Sequence, residues 1–411
     1  MQSGLPSIRS AEPARPHLVC VGGEDHHLRI PFLLALMARG FRVTAVASAD
    51  PAPFERAGVP FRPFRFQRFI GPGADRMAIR HLRSILLEQQ ADLVQSFDTK
   101  PNLMVPLAAR GLPRTKVVRT INGLGWVYSS RSPLALGLRP VQRALHRLVG
   151  RWVAATILQN QDDMTFFQRH RMLDDQLARL IPGSGIDLDG FAAATAAAAS
   201  PDALRAEFGL GTAPVVLTVT RLTRQKGIPT LLQAARKVHA VRPDVRFLLV
   251  GPRESEGPLA VGQAEIDRHA PYVIAPGRRD DVPALLKMAD AFAFPTEYRE
   301  GVPRALLEAG LAGLPMVATA MPGCNDVIRD GWSGFLVPPR RPDLLATRIL
   351  DILDDPDTAR AMGRYARTRV TGEFGLDLTV TRYCQVYEEV LGIPSIKAAP
   401  SPWLEVVGHR A

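Results

Sequence analysis

AFAFPTEYREGVPRALLEAGLAGLPMVA, residues 291–318, reads as a strand, a loop, a helix and a second strand. The strands Ala291–Phe294 and Met316–Ala318 are short and wholly apolar, and the apolar spacing between them predicts a helix over Arg304–Ala312. Strands that are apolar at every position are covered on both faces, which is typical of parallel sheets joined by helical crossovers. This segment alone therefore predicts a parallel α/β architecture.

The same alternation extends over most of the 411 residues. In the first half the predicted strands are His17–Val21, Arg42–Ala47, Leu93–Phe97, Lys116–Ile121 and Ala155–Gln159, and in the second half Val215–Val219, Arg246–Val250, Tyr272–Ile274 and Phe335–Val337 are added. Amphipathic segments such as Met77–Gln90, Leu134–Val149 and Ile228–Val241 lie between them. We expect two doubly wound domains, separated by the Ala-rich run 191–200, with ligands bound where they face each other.

Composition excludes several classes of protein. The three cysteines, Cys20, Cys324 and Cys384, are far apart and form no CxxC pair, which favours reduced thiols and argues against a zinc site. The acidic doublets lack partner clusters, so we predict no metal and no cofactor. We see no signal peptide at the start and no apolar run long enough to cross a membrane. These features predict a cytoplasmic protein.

Positive charge is concentrated in the first half. The net charge is +11, and residues 1–190 hold 25 Lys and Arg against 15 Asp and Glu. Such a surface attracts anionic lipids, diphosphates or nucleic acids. The segment 61–69, FRPFRFQRF, has three readings: a membrane-surface patch, a nucleic-acid patch, or a strand with snorkelling arginines. No nucleic-acid motif accompanies it, so we favour an anionic membrane and no nucleic acid.

The loop after Val215–Val219 carries Arg221, Arg224 and Lys226, where a strand's carboxyl end meets a helix. Arginine and lysine there could bind phosphate, although an ordinary solvated loop would look the same. A second loop holds Glu300 and Gly301 and runs into the helix that Pro303 opens, whose free N–H groups favour anions.

Two further features belong to this second domain. Glu308 lies within an apolar stretch of the helix after Pro303, so it is either a helix-face charge or a buried carboxylate that needs a partner. A third loop, PGRRDD over residues 276–281, could read a nucleobase, but it is equally a turn followed by an Asp-capped helix.

The segments TRLTRQKG at 220–227 and PTEYREGVPRALLEAGLAGLPMVAT at 295–319 resemble the donor-site signature of glycosyltransferase family 4. The similarity depends on two glutamates that are separated by seven residues, with Gly-x-Pro directly after the first. The first half of the chain resembles the family through SFDTKP, TINGLGW and IPGSGID. The resemblance implies the GT-B fold, two Rossmann-like domains facing each other across a cleft, and transfer of a sugar from a nucleotide diphosphate with retention of anomeric configuration.

The family pattern divides the chain as follows: a tail 1–16, an acceptor-side domain 17–190, the linker 191–200, a nucleotide-sugar domain 201–375, a helix 376–393 crossing back to the first domain, and a tail 394–411. It implies that Arg221 and Lys226 bind the diphosphate, Glu308 the ribose, and Glu300 with the backbone of Gly301, Val302 and Pro303 the sugar. Gly22 and Gly23 would approach the phosphate from the first domain, and Arg278 would join the donor site.

The acceptor side is predicted through the same resemblance. Asn122 stands where family members often carry a catalytic histidine, and an amide cannot act as a base; His26 and His27 are the alternatives. The Gly123–Trp126 loop resembles members that act on lipid-linked glycans. We therefore expect a UDP-sugar donor, a glycan or polyprenyl-diphosphate-linked acceptor, and peripheral attachment to the inner face of a bacterial membrane during surface polysaccharide synthesis.

Two other functions fit the sequence. An epimerase or hydrolase of sugar nucleotides can share this fold, and a non-catalytic protein can retain a decayed site. The presence together of Arg221, Lys226, Glu300 and Glu308 argues against the decayed site.

Overall fold

A computed structural model describes residues 15–66, 71–130, 132–253, 257 and 259–395. Within these residues the strands form two separate parallel sheets, of seven and six strands. The prediction of two doubly wound α/β units is confirmed.

The first sheet has the order β3-β2-β1-β4-β5-β6-β7. Its strands are β1 His17–Gly22, β2 Arg42–Ala47, β3 Phe61–Pro63, β4 Leu93–Ser96, β5 Lys116–Ile121, β6 Ala155–Leu158 and β7 Ala178–Leu180. The inner strands are buried along their length because helices cover both faces. Since the strands are parallel and in register, Gly22, Ser96 and Ile121 end at one edge of the sheet.

The helices of this domain are α1 Ile30–Ala38, α2 Ala52–Arg56, α3 Pro72–Glu88, α4 Pro101–Ala109, α5 Gly125–Ser129, α6 Pro133–Gly150 and α7 Gln161–Arg169. A 3-10 helix, Glu24–Arg29, precedes α1. The sheet buries two apolar clusters, one on each face, with α1 in one cluster and α3 and α4 in the other. The described part of the 61–69 segment includes a strand, Phe61–Pro63; residues 67–69 lie outside the described residues.

The second sheet has the order β10-β9-β8-β11-β12-β13. Its strands are β8 Val215–Val219, β9 Arg246–Val250, β10 Val273–Gly277, β11 Ala291–Phe294, β12 Met316–Thr319 and β13 Gly334–Val337. Between residues 188 and 354 the helices are α8 Leu188–Ala196, α9 Pro201–Glu207, α10 Ile228–Val241, α11 Gln263–Asp267, α12 Val282–Met288, α13 Arg304–Ala312, α14 Cys324–Val327 and α15 Pro342–Asp354.

Two long helices follow, α16 Pro356–Phe374 and α17 Leu376–Leu391. The first packs on the second domain through Ala366 and Val370. The second packs in the first domain's core, where the Tyr387 hydroxyl donates to Gln95 Oε1 at 3.0 Å. The chain therefore returns to its first domain after completing the second.

The Ala-rich run 191–200, which the sequence predicts to be a linker, is helical over residues 191–196. Asp187 caps this helix, α8, by accepting the Gly190 N–H at 2.9 Å. Leu188 and Phe191 anchor it on the apolar core of the second domain. Alanine's high helix propensity and these two anchors explain the helix.

Candidate functional site

Lys226 and Glu300 form an ion pair at the carboxyl edge of the second sheet. Lys226 ends a 3-10 turn after β8, and its ammonium donates to Glu300 Oε1. Both side chains are largely buried, 10% and 15% exposed. The rings of Phe294 and Tyr298 lie 5.8 and 5.4 Å from Lys226 Nζ. A lysine held in this way presents a fixed positive charge in a partly dry environment.

Gly227 brings the two loops together. Its φ is +71°, and a Cβ there would lie 1.8 Å from the Pro295 carbonyl oxygen. Only glycine permits both this backbone conformation and this close approach. The loop after β8 is thereby pressed against the end of β11, which is why Lys226 reaches Glu300.

Helix α13 begins next to this pair. Pro303 is its N-cap, not its first helical residue, so the helix starts at Arg304. The N–H groups of Arg304 and Ala305 point out of the helix start, because the first turn has no intrahelical acceptors. Glu308, 17% exposed, pairs with Arg304 at 2.8 Å, which supplies the partner that its partial burial requires. The Arg304 guanidinium also lies 3.5 Å from the Leu28 carbonyl of the first domain.

A second charged cluster lies at the carboxyl edge of the first sheet. Asp98 follows β4 and accepts the Gly23 N–H at 3.0 Å and the Arg29 guanidinium at 3.1 Å. With its amide oriented to satisfy both atoms, Asn122 donates to the Thr120 carbonyl at 3.1 Å and accepts from Arg29 at 2.6 Å. Arg29 therefore links Asp98 to Asn122.

Asp98 has two unusual properties. Its φ is +70°, a conformation that few residues other than glycine adopt and that is found at functional sites. Burial alone would raise the pKa of this carboxyl, but the Arg29 guanidinium and the Gly23 N–H hold it below its ordinary value. With 37% of its side chain exposed, Asp98 presents an ionised carboxylate at the edge of the sheet.

The loop 298–301 docks the second domain on the first. The Arg299 N–H donates to Ser129 Oγ at 3.0 Å, and the Asn160 amide donates to the carbonyls of Glu300 and Gly301 at 3.1 Å each. The Arg299 guanidinium binds Asp163, which is wholly buried, at 2.8 Å. Thus the carboxyl edges of the two sheets face each other.

Glycines permit this close contact. A Cβ at Gly301 would lie 2.3 Å from Gln159 Oε1, and a Cβ at Gly123 would lie 2.7 Å from the Arg299 carbonyl. Val302 packs against Gly183 of the first domain. Of the backbone expected to hold the sugar, the Gly301 carbonyl is thus engaged in a contact between domains, as is the Glu300 carbonyl before it.

A cavity of about 460 Å³ opens beside this contact. Its walls come from α7 of the first domain and from residues 320–325 of the second, and Arg299 lies between them. The polar side chains that line it are Asp162, Thr165, Arg169, His170, Arg299 and Asn325. The space between the domains therefore continues past the docking loop.

The predicted site residues of the first domain do not all line the cleft. Gly22 ends β1 and Gly23 follows it, and Gly22 is needed for packing, since a Cβ there would lie 2.1 Å from His26 Nδ1. His26 is wholly buried, stacked on Phe54 with ring centroids 5.9 Å apart. Burial and the charge of Arg29 lower its pKa to about 3. His26 therefore belongs to the core and does not line the cleft, contrary to the expectation.

The remaining predicted residues differ in their exposure and in their place in the fold. His27 is half-buried, with Nδ1 3.4 Å from the Glu24 carbonyl. Arg221 lies in the Lys226 loop and is half-buried, while Arg224 turns outward to Glu265 at 2.8 Å. Arg278 lies after β10, two strands from β8, and is 72% exposed.

Sequence reasoning missed Arg29, Asp98, Asn160 and Asp163. SFDTKP was noted as a resemblance, but Asp98 itself was not singled out. The available signal was the same one that identified Lys226: a charged side chain directly after a buried strand. Among the described residues, no group of three or more His, Cys, Asp or Glu side chains is arranged to hold a metal ion. Within the same residues, no helix has the length and apolar character needed to cross a bilayer.

Two Rossmann-like domains whose charged carboxyl edges face each other across a cleft have the GT-B fold. Residues 202–369 match the family model described as glycosyl transferases group 1, and residues 32–190 match the model of glycosyltransferase family 4. The chain belongs to glycosyltransferase family 4 and is a glycosyltransferase.

Curated relatives extend over most of the chain. A Campylobacter jejuni N,N'-diacetylbacillosaminyl-diphospho-undecaprenol α-1,3-N-acetylgalactosaminyltransferase is 23% identical over 90% of this chain and 97% of its own length. An Escherichia coli UDP-Gal:α-D-GlcNAc-diphosphoundecaprenol α-1,3-galactosyltransferase is 25% identical over 77% of this chain and 80% of its own.

Solved structures share the fold. HepE from Anabaena, in complex with UDP, has a TM-score of 0.74 at 20% identity and covers 91% of this chain and all of its own. A glycosyltransferase from Rickettsia africae has a TM-score of 0.75 at 16% identity, over 92% of this chain and 99% of its own.

Proposed function

We propose that this enzyme transfers a sugar from a UDP-sugar to a polyprenyl-diphosphate-linked sugar, with retention of anomeric configuration, during bacterial surface polysaccharide synthesis. The names of the Campylobacter and Escherichia relatives support the lipid-linked acceptor, and the latter name supports a UDP donor. The UDP complex of HepE is consistent with a uridine nucleotide. The reaction would take place at the inner face of the membrane, where the acceptor lipid is anchored.

One observation carries the proposal. The Lys226–Glu300 pair lies next to the start of α13, and the docking loop 298–301, which carries Glu300, contacts the domain that holds Asp98 and Asn122. A donor bound at the first group would present its sugar toward the second. A single binding module would need only one of these sites.

The chemistry follows from charge. As the bond between the anomeric carbon and the diphosphate oxygen breaks, the electron pair moves to that oxygen, and the leaving group gains negative charge. Lys226 has three ammonium donors, of which Glu300 accepts one, and Arg221 and the N–H groups at the start of α13 lie nearby. Groups fixed in advance toward developing charge stabilise a transition state. We propose that they do so without a resident metal or cofactor.

The acceptor hydroxyl would form the new bond to the anomeric carbon on the face from which the diphosphate leaves. Its proton would pass to the departing phosphate oxygen, so no protein nucleophile or strong base is required. The ionised Asp98 is suited to accept a hydrogen bond from that hydroxyl and orient it. This role fits the low pKa of Asp98 better than general base catalysis.

Incubation with UDP-, GDP- and TDP-sugars, with and without a polyprenyl-diphosphate-linked sugar, tests the proposal. We expect the glycolipid to be extended by one sugar when the donor is a UDP-sugar and not when it is a GDP- or TDP-sugar. With an α-linked UDP-sugar, the new linkage should also be α. An isomerised nucleotide sugar without transfer would point instead to an epimerase. Absence of binding to every nucleotide sugar would overturn the assignment of the donor site.

A further inference from the structure

Helix α6 carries an apolar stripe on its solvent side. Leu134, Val141, Leu145 and Leu148 are 66%, 52%, 38% and 42% exposed, and Leu138 between them is half-buried. The spacing of 4, 3, 4 and 3 residues places all five on one side of the helix. In a helix of eighteen residues, this stripe runs along about four turns.

The stripe lies beside the face that binds the domain and is centred on a different side of the helix. The buried positions of α6 are Ala135, His146 and Val149. At 100° per residue, Ala135 and His146 lie about 100° to 120° around the helix from the centre of the stripe, and Val149 lies about 60° from it. The exposed leucines therefore do not contribute to the domain core, and exposing a continuous apolar stripe is costly unless it contacts a partner.

The charge around the helix indicates the partner. Residues 99–161 contain ten Lys and Arg and no Asp or Glu. Arg147 and Arg151 at the end of α6 and Arg110 after α4 are exposed, and the Arg110 guanidinium stacks on Trp152 at 4.8 Å. An apolar stripe with arginines and a tryptophan nearby fits the interface of an anionic bilayer.

A second copy of the chain fits less well. Pairing two α6 helices through the stripe would bring two surfaces of the same positive sign together, without acidic residues from this region to compensate. A bilayer that contains anionic lipids supplies both the apolar phase and the opposite charge.

We propose that the α6 stripe, Leu134–Leu148, inserts into the interfacial layer of an anionic membrane. Helix α6 begins four residues after α5, whose Ser129 hydroxyl accepts from Arg299 of the docking loop. Insertion would therefore hold the cleft at the level of the lipid headgroups. Its role in catalysis rests on the proposed lipid-linked acceptor, whereas membrane binding itself does not.

The test uses a triple variant, Leu134→Gln, Val141→Gln and Leu145→Gln, in the full chain. Vesicles of phosphatidylcholine with phosphatidylglycerol are floated with each protein at physiological salt. We expect the wild type to float and the variant to lose about tenfold or more in partition coefficient, since each buried methylene contributes to binding. Vesicles of phosphatidylcholine alone should bind the wild type more weakly.

A matched control replaces exposed apolar residues elsewhere: Leu180→Gln, Val241→Gln and Leu378→Gln, which are 38%, 66% and 36% exposed in the wild type. This control should float like the wild type. Equal flotation of the stripe variant and the control would overturn the proposal. So would a wild-type dimer in sedimentation that the stripe variant converts to monomer, because the stripe would then bind a second copy.

Failure of the proposed function can be distinguished from failure of the membrane proposal. A water-soluble acceptor with a short alkyl chain should be glycosylated equally by the wild type and the stripe variant, because the three substituted side chains are exposed on α6. Equal transfer with lost flotation supports both proposals. Lost flotation without transfer by either protein would reject the proposed acceptor and retain the membrane surface.

Discussion

Lys226 Nζ lies buried beside Glu300, whereas the side chain of Arg224 in the same loop is 57% exposed. We predict that Lys226→Ala lowers kcat by roughly a hundredfold or more, the cost of removing one preorganised donor. Steady-state transfer at saturating nucleotide sugar measures this. Arg224→Ala, two residues away in the same loop, is the control and should change kcat less than threefold, as roughly expected for a screened surface charge. Similar losses in both variants would mean that the loop acts only through net charge.

Asp98 is predicted to orient the acceptor. Asp98→Asn keeps the size of the side chain but removes its charge, so we expect transfer to fall by roughly tenfold or more. Slow hydrolysis of the donor by water should stay within about twofold, since Asp98 does not contact the donor-side pair. Asp75→Asn is the matched control, because Asp75 is also a partly buried carboxylate paired with a cation, Lys100, at 2.6 Å. If hydrolysis and transfer fell equally, Asp98 would belong to the donor site.

These two residues also show what sequence alone can predict. Lys226 and Glu300 each follow a recognisable strand and belong to a motif, so their loops could be predicted to meet. Asp98 gains its properties from Gly23 and Arg29, which are 75 and 69 residues away in sequence and come close only when β1 and β4 pair. The prediction that His26 lines the cleft was wrong, because nothing in the sequence around the glycine pair indicates that this polar ring is packed in the core.

Among the elements, the docking loop 298–301 makes one ion pair with the first domain, between Arg299 and Asp163. Asp163 is wholly buried, and burial raises its pKa although Arg299 and Asn160 oppose this. We predict that Arg299→Met lowers the free energy of unfolding by about 3 kcal/mol at pH 7, because the carboxylate is left without its cation. Urea unfolding measures the change. Adding Asp163→Asn should recover part of it, and a double variant less stable than Arg299→Met alone would contradict the explanation.

The elements were predicted more reliably than their ends. Apolar runs identified β1, β2, β4, β5 and β6 and most of the second sheet, because buried parallel strands have little polar character. The strand Ala178–Leu180 was not predicted, and a strand was only one of three readings of the segment that contains Phe61–Pro63, since each strand has too few residues to show a period. The Ala-rich run was assigned by composition, and only tertiary contacts of Leu188 and Phe191 make it part of the second domain.

At the scale of the whole molecule, the first domain is closed by α17, which the chain reaches only after completing the second. The Tyr383 hydroxyl is hydrogen-bonded to the Thr120 hydroxyl at 3.0 Å, and the Tyr387 hydroxyl donates a hydrogen bond to Gln95 Oε1 at 3.0 Å, both in the buried core. The path of the chain thus ties the two domains together at a point distant in sequence from the docking loop. Such connections depend on folding of the entire chain, so local periodicity could not predict them. The family resemblance alone predicted that the last helix returns to the first domain.

The buried histidines of the first domain should make the whole molecule sensitive to acid. Burial lowers the pKa values of His17, His26 and His146, that of His26 to about 3. An unfolded histidine titrates near pH 6.5, so between that pH and the folded pKa the unfolded chain binds more protons, and stability falls as pH decreases. For His26 alone, the loss between pH 7 and pH 5 is about 2 kcal/mol. We predict that His26→Leu reduces the pH dependence of the free energy of unfolding by this amount, measured in urea at both pH values. An unchanged pH dependence in His26→Leu would show that burial of His26 is not its cause.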